Sequence, residues 1–600
     1  MKKRLVVLCL CLCLAVASHG QYTYRLSWQQ PQHHLYEVEM IVRPDTGLTT
    51  TFVSAVWRPG RYIRQDFAGA VSQVHATDEQ GNALHCRLQG PGAWQVRHGA
   101  AREIHFRYKF FANNEDAGSS LLTEQQVYFN PVNMFLYVPG RLEEPVTLEL
   151  PQLLPTWKSA TALTPAGPGK YTAPDWHTFA DAPSVFAPAM RQRHFESHGT
   201  TFWIHFQGEF TGDTLTEAAA EDAIRKICEA QYGVFGSYPF KEFHFIYRFL
   251  GSGMRHAVEH AYSVSFALPT SITAQPETIV NGLASITSHE LWHAWNVKRI
   301  RPAALWPYNY ENIQVTSLHW FTEGITDYYA NLMVYKAGIK PASHFLNQVA
   351  QNIQKLQNSY AASVVSPAEA SLNSWLDISP YKDPALRISY YDLGMRAGIL
   401  IDLELIRRTE GRLTLDDVFR HLYQTWYLKG KGVPEDGIQE ALELLSGSDW
   451  DSFFEAYIWG TAPAPWKDLF EGAGLTWTET TPETISLQSL GILRTEEVRQ
   501  GLYVTSLHPA GAASLAGLAA QDLILEIDGR AVTGMKADTY LAELKKNETV
   551  TLSVFRNNSV FTLEVSPGTY WKPVACTLTP RQNPKPRQEN LLHVWLRQGQ

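Results

Sequence analysis

The residues His289-Glu290-Leu291-Trp292-His293 carry the spacing of a metal site on a helix. Residues four apart on a helix share a face one turn apart, so both imidazoles can reach a single cation. Glu290 follows the first histidine and points near that face, where it can take a proton from a water beside the metal. A third ligand is found in a second helix-like stretch, His319 to Ala330 (HWFTEGITDYYA). Catalytic zinc takes three protein ligands and leaves one position open, and two histidines with a glutamate are a recurring set. Glu323 supplies the carboxylate, so the expectation is one Zn2+ per chain on His289, His293 and Glu323. Asp327 follows one helical turn later, where it can accept the other ring N–H of a ligating histidine and fix its tautomer. Both acids sit among Trp320, Phe321, Ile325, Tyr328 and Tyr329. A bare carboxylate in such company is costly unless it is paired or ligated.

Several elements must hold these groups. Residues 279–287 have helix-compatible apolar spacing without proline, which makes the metal motif the end of a helix. Upstream, 214–233 reads as a helix and 243–250 (FHFIYRFL) as a strand, followed by the turn Gly251-Ser252-Gly253. Helical periodicity returns at 391–408 and 435–445. This order predicts a thermolysin-like α+β domain, mostly helical, over residues 196–480. Residues 21–195 differ: 22–28, 34–42 and 103–110 alternate with period two between Gly, Pro and Asn boundaries. That pattern predicts antiparallel strands in an N-terminal β-sandwich-like domain with no chemistry of its own, a candidate wall for the cleft.

Six hundred residues exceed one core and predict a multidomain chain. With 45% apolar and 12% aromatic residues the chain can bury large cores. A formal charge of -8 gives no electrostatic reason to expect nucleic acid or an anionic membrane as partner. Residues 1–20 read as a signal peptide: Lys2, Lys3 and Arg4, then an apolar run from Leu5 to Val16, then the small-residue site Ser18-His19-Gly20. Export to the periplasm or medium follows, and no stretch is long and apolar enough for a transmembrane segment. The expected mature chain keeps Cys86, Cys228 and Cys576, too few and too scattered for a disulfide framework.

The run His289 to Pro302 (HELWHAWNVKRIRP), with Trp320 to Tyr329 (WFTEGITDYY), resembles the glycyl aminopeptidase family, gluzincin zinc metallopeptidases of family 61 with an appended PDZ domain. Residues 485–570 look like that PDZ module. Leu490, Gly491 and Ile492 resemble its peptide-binding loop, and 501–532 its core. Gln521 departs from the glycine common before the aspartate. Residues 571–600 are expected as an extended or loosely docked tail.

The resemblance implies further roles. Met254 to His260 (MRHAVEH) resembles the strand whose glutamate holds the substrate's free α-amino group, which assigns Glu259 to substrate binding with His260 beside it. Ile388 to Gly394 (ISYYDLG) resembles the segment supplying a catalytic tyrosine: Tyr391 by position, with Tyr390 as the alternative because Leu393 departs from the usual lysine. The implied activity is zinc-dependent hydrolysis of the N-terminal peptide bond, with Gly or Ala preferred as first residue. Two other readings stay open: a metallo-endopeptidase on the same zinc site, and a catalytically silent protein that binds peptides through its PDZ domain. The PDZ module itself reads equally as a structural lid or as a site for C-terminal peptides.

Overall fold

The computed structural model describes residues 22–44, 47–533, 536–544, 548–567 and 571–597. The expected signal peptide lies outside them. The chain divides into two compact units. The first runs to Met190 apart from residues 57–65 and 116–118, which belong to the second; this boundary falls five residues before the expected one.

In the first unit the period-two runs become strands. Tyr22–Ser27 pairs antiparallel with Leu35–Val42 and parallel with Val146–Glu149, and Leu35–Val42 pairs in turn with Ile104–Phe111. Their alternation buries Tyr22, Tyr24 and Leu26 on one face. Among the described residues these strands belong to a ten-stranded sheet, accompanied by a four-stranded one. Tyr171 of the larger sheet meets Phe186 of the smaller at 5.4 Å between ring centroids, as expected of two sheets closing on a shared core.

The second unit holds the catalytic motifs. Its sheet runs in the order Met190–Ser197 (β1), Thr200–Gly208 (β2), Glu242–Leu250 (β3), Ser263–Pro269 (β5) and, at the edge, His256–Glu259 (β4). Strands β2, β3 and β5 are parallel; β4 is antiparallel and sets Glu259 opposite Val264. Thr214–Phe235 (α1) and Pro276–Trp292 (α2) cover this sheet through a core rich in aromatic rings. Helix α2 starts with a proline in its first turn and a Gln275–Thr278 capping box, so its orphan amides are partly satisfied before the apolar run begins.

Helix Tyr390–Arg408 (α3) packs backbone to backbone on the segment carrying Glu323. A Cβ on Gly394 would lie 2.0 Å from the Trp320 carbonyl oxygen, and one on Gly324 would lie 2.3 Å from the Gly394 Cα. Two facing glycines thus bring the Tyr390-Tyr391 pair close to the metal motif.

The C-terminal residues correct the expectation of an extended tail. Ala575–Pro580 pairs antiparallel with Leu475–Thr480, so the PDZ module is inserted between two strands of one ribbon. Pro586–Trp595 then forms a helix, and Trp595 and Arg597 are buried. Arg597 bridges Asp402 at 2.9 Å and Asp416 at 3.1 Å. The prolines that suggested an extended chain are compatible with this fold because Pro586 sits in the first helical turn, where its missing N–H costs nothing. The PDZ module has its five main strands in the order 492–498, 501–507, 523–527, 550–556 and 559–565. Gln521 takes φ of +75°, the left-handed backbone of the glycine it replaces.

Candidate metal centre and active site

The last turn of α2 delivers the metal motif. Gln231 on α1 donates its side-chain amide to the Ser288 carbonyl at 2.7 Å, and Tyr247 on β3 is 2.9 Å from the Thr287 hydroxyl, fixing the helix end from two sides. The helix stops at Trp292, and the turn beyond it lets the Asn296 carbonyl fold back to His293 Nδ1 at 2.7 Å. Asn296 also donates to the Phe321 carbonyl at 2.9 Å and Thr326 Oγ1 at 3.1 Å. One buried amide therefore couples the histidine helix to the glutamate segment.

Glu323 lies on a π-helical stretch, Trp320–Ile325, that runs into Thr326–Lys336 (α4). Such widened turns recur at functional sites because the extra residue re-aims a side chain. Its Oε2 lies 3.2 Å from His293 Nε2 and 3.7 Å from His289 Nε2, and the two Nε2 atoms are 2.9 Å apart. Zinc bonds of about 2.0–2.2 Å to N and O give a tetrahedron with edges of about 3.3–3.6 Å, close to this triangle. The second ring nitrogens are already used: His289 Nδ1 lies 2.8 Å from Asp327 Oδ1, and His293 Nδ1 donates to Asn296. Both Nε2 lone pairs then face each other and a carboxylate, an arrangement that calls for a cation. Glu323 Oε1 is buried and has no hydrogen-bond partner. The donor set fits zinc.

The electrostatics agree. Burial opposes charge on His289, but Asp327 and Glu323 outweigh it and hold its pKa well above the ordinary value. Burial would raise Glu323; the imidazoles of His293 and His289 reverse this and hold it well below the usual carboxylate range. Glu290 differs: burial, aided by Glu259 and Glu323 against the pull of the histidines, pushes it up to about 7. A carboxyl near neutrality can both accept and return a proton.

Glu259, Glu290 and His293 present atoms within 4.8 Å of one another, as do His289, His293 and Glu323. Glu259 is buried, and its Oε1 has no partner. His260, buried next to it, donates its backbone N–H to the Ser263 carbonyl at the β4–β5 turn. On α3 the Tyr391 ring lies 6.1 Å from that of His289, and Tyr390 stacks on Tyr391 at 5.0 Å and faces His319 at 5.5 Å. Burial first, then Glu323, raises the pKa of both hydroxyls, so both keep their protons. A cleft of about 500 Å³ opens beside His289, Glu290 and Asp327 and is lined further by Arg255, Gln351 and Lys355.

Known proteins bear on this geometry. Residues 23–188 match the Peptidase M61 N-terminal domain and residues 282–396 the M61 glycyl aminopeptidase family. The chain carries both M61 domains, the N-terminal one and the peptidase one. Residues 489–566 match a PDZ domain, completing the order. Among curated proteins, none matches the chain. The crystal structure of an aminopeptidase N family protein from Idiomarina loihiensis shares the fold, with a TM-score of 0.86 and 23% identity over 96% of this chain and 100% of that one. Yeast LTA4 hydrolase in complex with bestatin aligns with a TM-score of 0.45 and 13% identity, over 75% of this chain and 70% of that one. The M61 chain is thus a metallopeptidase with an aminopeptidase-like architecture.

Other residues of this M61 peptidase at the site had no sequence-based assignment. Asn296 sits within the quoted motif, three residues after His293, a spacing that suits a turn folding back on the helix end. Tyr62 and His319 stack at 3.8 Å, and no local pattern joins residues so far apart. In the PDZ module, the amide of Leu490 donates to the Ser486 and Leu487 carbonyls, that of Gly491 to Gln488, and that of Ile492 to Leu487. All three loop amides that would hold a terminal carboxylate already have partners.

Proposed function

We propose that this M61 peptidase is a zinc-dependent aminopeptidase that hydrolyses the N-terminal bond of peptides whose first residue is glycine or alanine. The observation that carries the reading is the second acid, Glu259, facing the ligand cluster across His293 within 4.8 Å. An unpaired buried carboxylate there favours a substrate ammonium, with a charge-assisted bond about twice as strong as a neutral one. A free N-terminus held at Glu259 brings the first carbonyl over the ligand triangle, which makes the enzyme an exopeptidase by positioning.

His289, His293 and Glu323 would hold the zinc, which when bound supplies Lewis acidity toward the scissile carbonyl and the attacking water. Glu290 takes the proton of that water as it attacks and passes it to the leaving amine; its pKa of about 7 suits both transfers. Tyr391, nearer to His289, or Tyr390 donates its hydroxyl to the carbonyl oxygen as charge builds there. Asp327 keeps the His289 tautomer fixed throughout. Export is part of the proposal, on the N-terminal sequence pattern; no helix among the described residues is long and apolar enough to cross a membrane.

The test is a panel of aminoacyl amides and N-acetylated peptides, run on the wild type and Glu290→Gln, with and without a chelator. Release of free-amine glycine and alanine, abolished by either change, is the expected outcome. Equal cleavage of the acetylated peptides would instead establish an endopeptidase.

A further inference from the structure

Residues 57–65 (WRPGRYIRQ) come from the N-terminal half of the sequence but fold as part of the second unit, beside the acids just described. The strap is firmly held. Trp57 is wholly buried, with its indole N–H donating to the Asn309 carbonyl at 2.7 Å and the Asn312 carbonyl at 3.0 Å. Its ring meets Trp375 edge-on at 5.4 Å.

Gly60 then passes against the substrate-binding acid. Its φ is +81°, and a Cβ there would lie 2.4 Å from Glu259 Oε2 and 2.8 Å from Oε1. Glycine is required twice over, by the left-handed backbone and by the close approach. Two residues on, Tyr62 is 2% exposed, with its ring stacked on His319 at 3.8 Å. His319 in turn faces Tyr390. The Tyr62 hydroxyl, His319 Nε2 and Glu259 Oε1 are all buried without hydrogen-bond partners. Unpaired buried polar atoms cost about 1–3 kcal/mol each, so these three, one on the acid, one on the strap and one on the ring stacked against the strap, mark a place that a polar ligand completes.

We infer that Tyr62, backed by Gly60 and His319, is the specificity-determining wall of the first-residue subsite. The inference rests on the aminopeptidase reading. If Glu259 holds the ammonium and the ligand triangle faces the carbonyl, the Cα of the first residue lies between them. The strap closes this space on the Glu259 side, and the Tyr62 ring fills the volume that a side chain beyond methyl would need. Gly60 brings the wall into direct contact with the acid, and the buried Trp57 anchor keeps it from yielding. The substrate class selected is a peptide with amino-terminal glycine or alanine, and leucine is excluded by the ring.

The experiment compares glycyl, alanyl and leucyl 4-nitroanilides on wild type, Tyr62→Ala and Tyr62→Phe. Truncating the ring should raise the leucine-to-glycine ratio of kcat/KM at least about tenfold, the scale on which apolar pockets discriminate by size. Tyr62→Phe keeps the ring and should leave the ratio within about threefold of wild type. Tyr62→Val opens the same space and replaces the alanine variant if that one fails to fold by circular dichroism. An unchanged ratio in a folded Ala or Val variant overturns the assignment of Tyr62 while the aminopeptidase reading stands. A wild type equally fast on leucine overturns it too. A wild type inactive on all three free-amine substrates overturns the underlying reading instead.

Discussion

The approach of Gly394 to the Glu323 segment gives a quantitative handle on how the tyrosine pair is positioned. In Gly394→Ala the new Cβ would lie 2.0 Å from the Trp320 carbonyl oxygen and 2.7 Å from the Gly324 Cα. These neighbours are backbone and cannot rotate away. Relieving the overlap to an ordinary contact of about 3.0–3.4 Å moves one segment by about 1.0–1.4 Å, a backbone-scale form of overpacking. Tyr390 and Tyr391 ride on the first turn of the same helix, so they move with it. A misplacement of about 1 Å costs on the order of 100-fold in rate. The expected result is a fall in kcat/KM of about 100-fold, with destabilisation of about 1–3 kcal/mol from overpacking. The assay is kcat/KM on glycyl 4-nitroanilide, with bound zinc measured in parallel and the melting temperature recorded. Zinc retained at one per chain locates the movement in α3; zinc lost locates it in the Glu323 segment. Activity within twofold of wild type, with an unchanged melting temperature, would refute the reasoning, because the helices would then have absorbed a methyl group without moving.

Three further outcomes follow from particular contacts. Asp327→Ala removes the partner 2.8 Å from His289 Nδ1, and zinc affinity measured by chelator competition should fall about 10–100-fold; a change below threefold would show that the tautomer is fixed by other means. His244 is partly buried, its side chain 12% exposed, with its Nδ1 3.0 Å from His205 Nε2 and its Nε2 3.5 Å from exposed Glu242, and desolvation pushes its pKa down to about 4. The unfolded ring takes a proton near pH 6.5 and the folded one only near 4, so this stability is intact above pH 6.5 and erodes as the pH falls toward 4, by up to about 3 kcal/mol. In denaturant titrations at pH 7.5 and 5, His244→Gln should lose less stability on acidification than wild type; an equal loss would exonerate this ring. Because the Leu490, Gly491 and Ile492 amides are already paired, fluorescent peptides with free C-termini should not saturate the PDZ module below about 1 mM, and a micromolar Kd by anisotropy would mean that the loop opens.

The parts of the site that were legible in the sequence are those set by local periodicity. His289 and Glu290 lie in the last turn of one helix with His293 as its C-cap, and Glu323 and Asp327 lie one turn apart, so helical spacing brought each group together. The strand and turn before Glu259 were equally readable, as the apolar run 243–250 followed by Gly251-Ser252-Gly253. The unread parts depend on contacts between distant segments. Gly60 was anonymous because its requirement comes from a carboxylate far along the chain, and Tyr62 looked like any of 27 tyrosines until His319 stacked on it. The C-terminal helix was misread for a related reason: Pro586 signals an extended chain when only its neighbours are considered, yet suits a first helical turn once Trp595 and Arg597 have a core to enter. The metal ligands come from two short local stretches of chain, one at a helix end and one on a π-helical turn, whereas the choice of substrate falls to a strap that only the folded unit brings beside Glu259. A wall of that kind can change residue by residue without disturbing the ligands, so first-residue preference is expected to be the most readily altered property of this site.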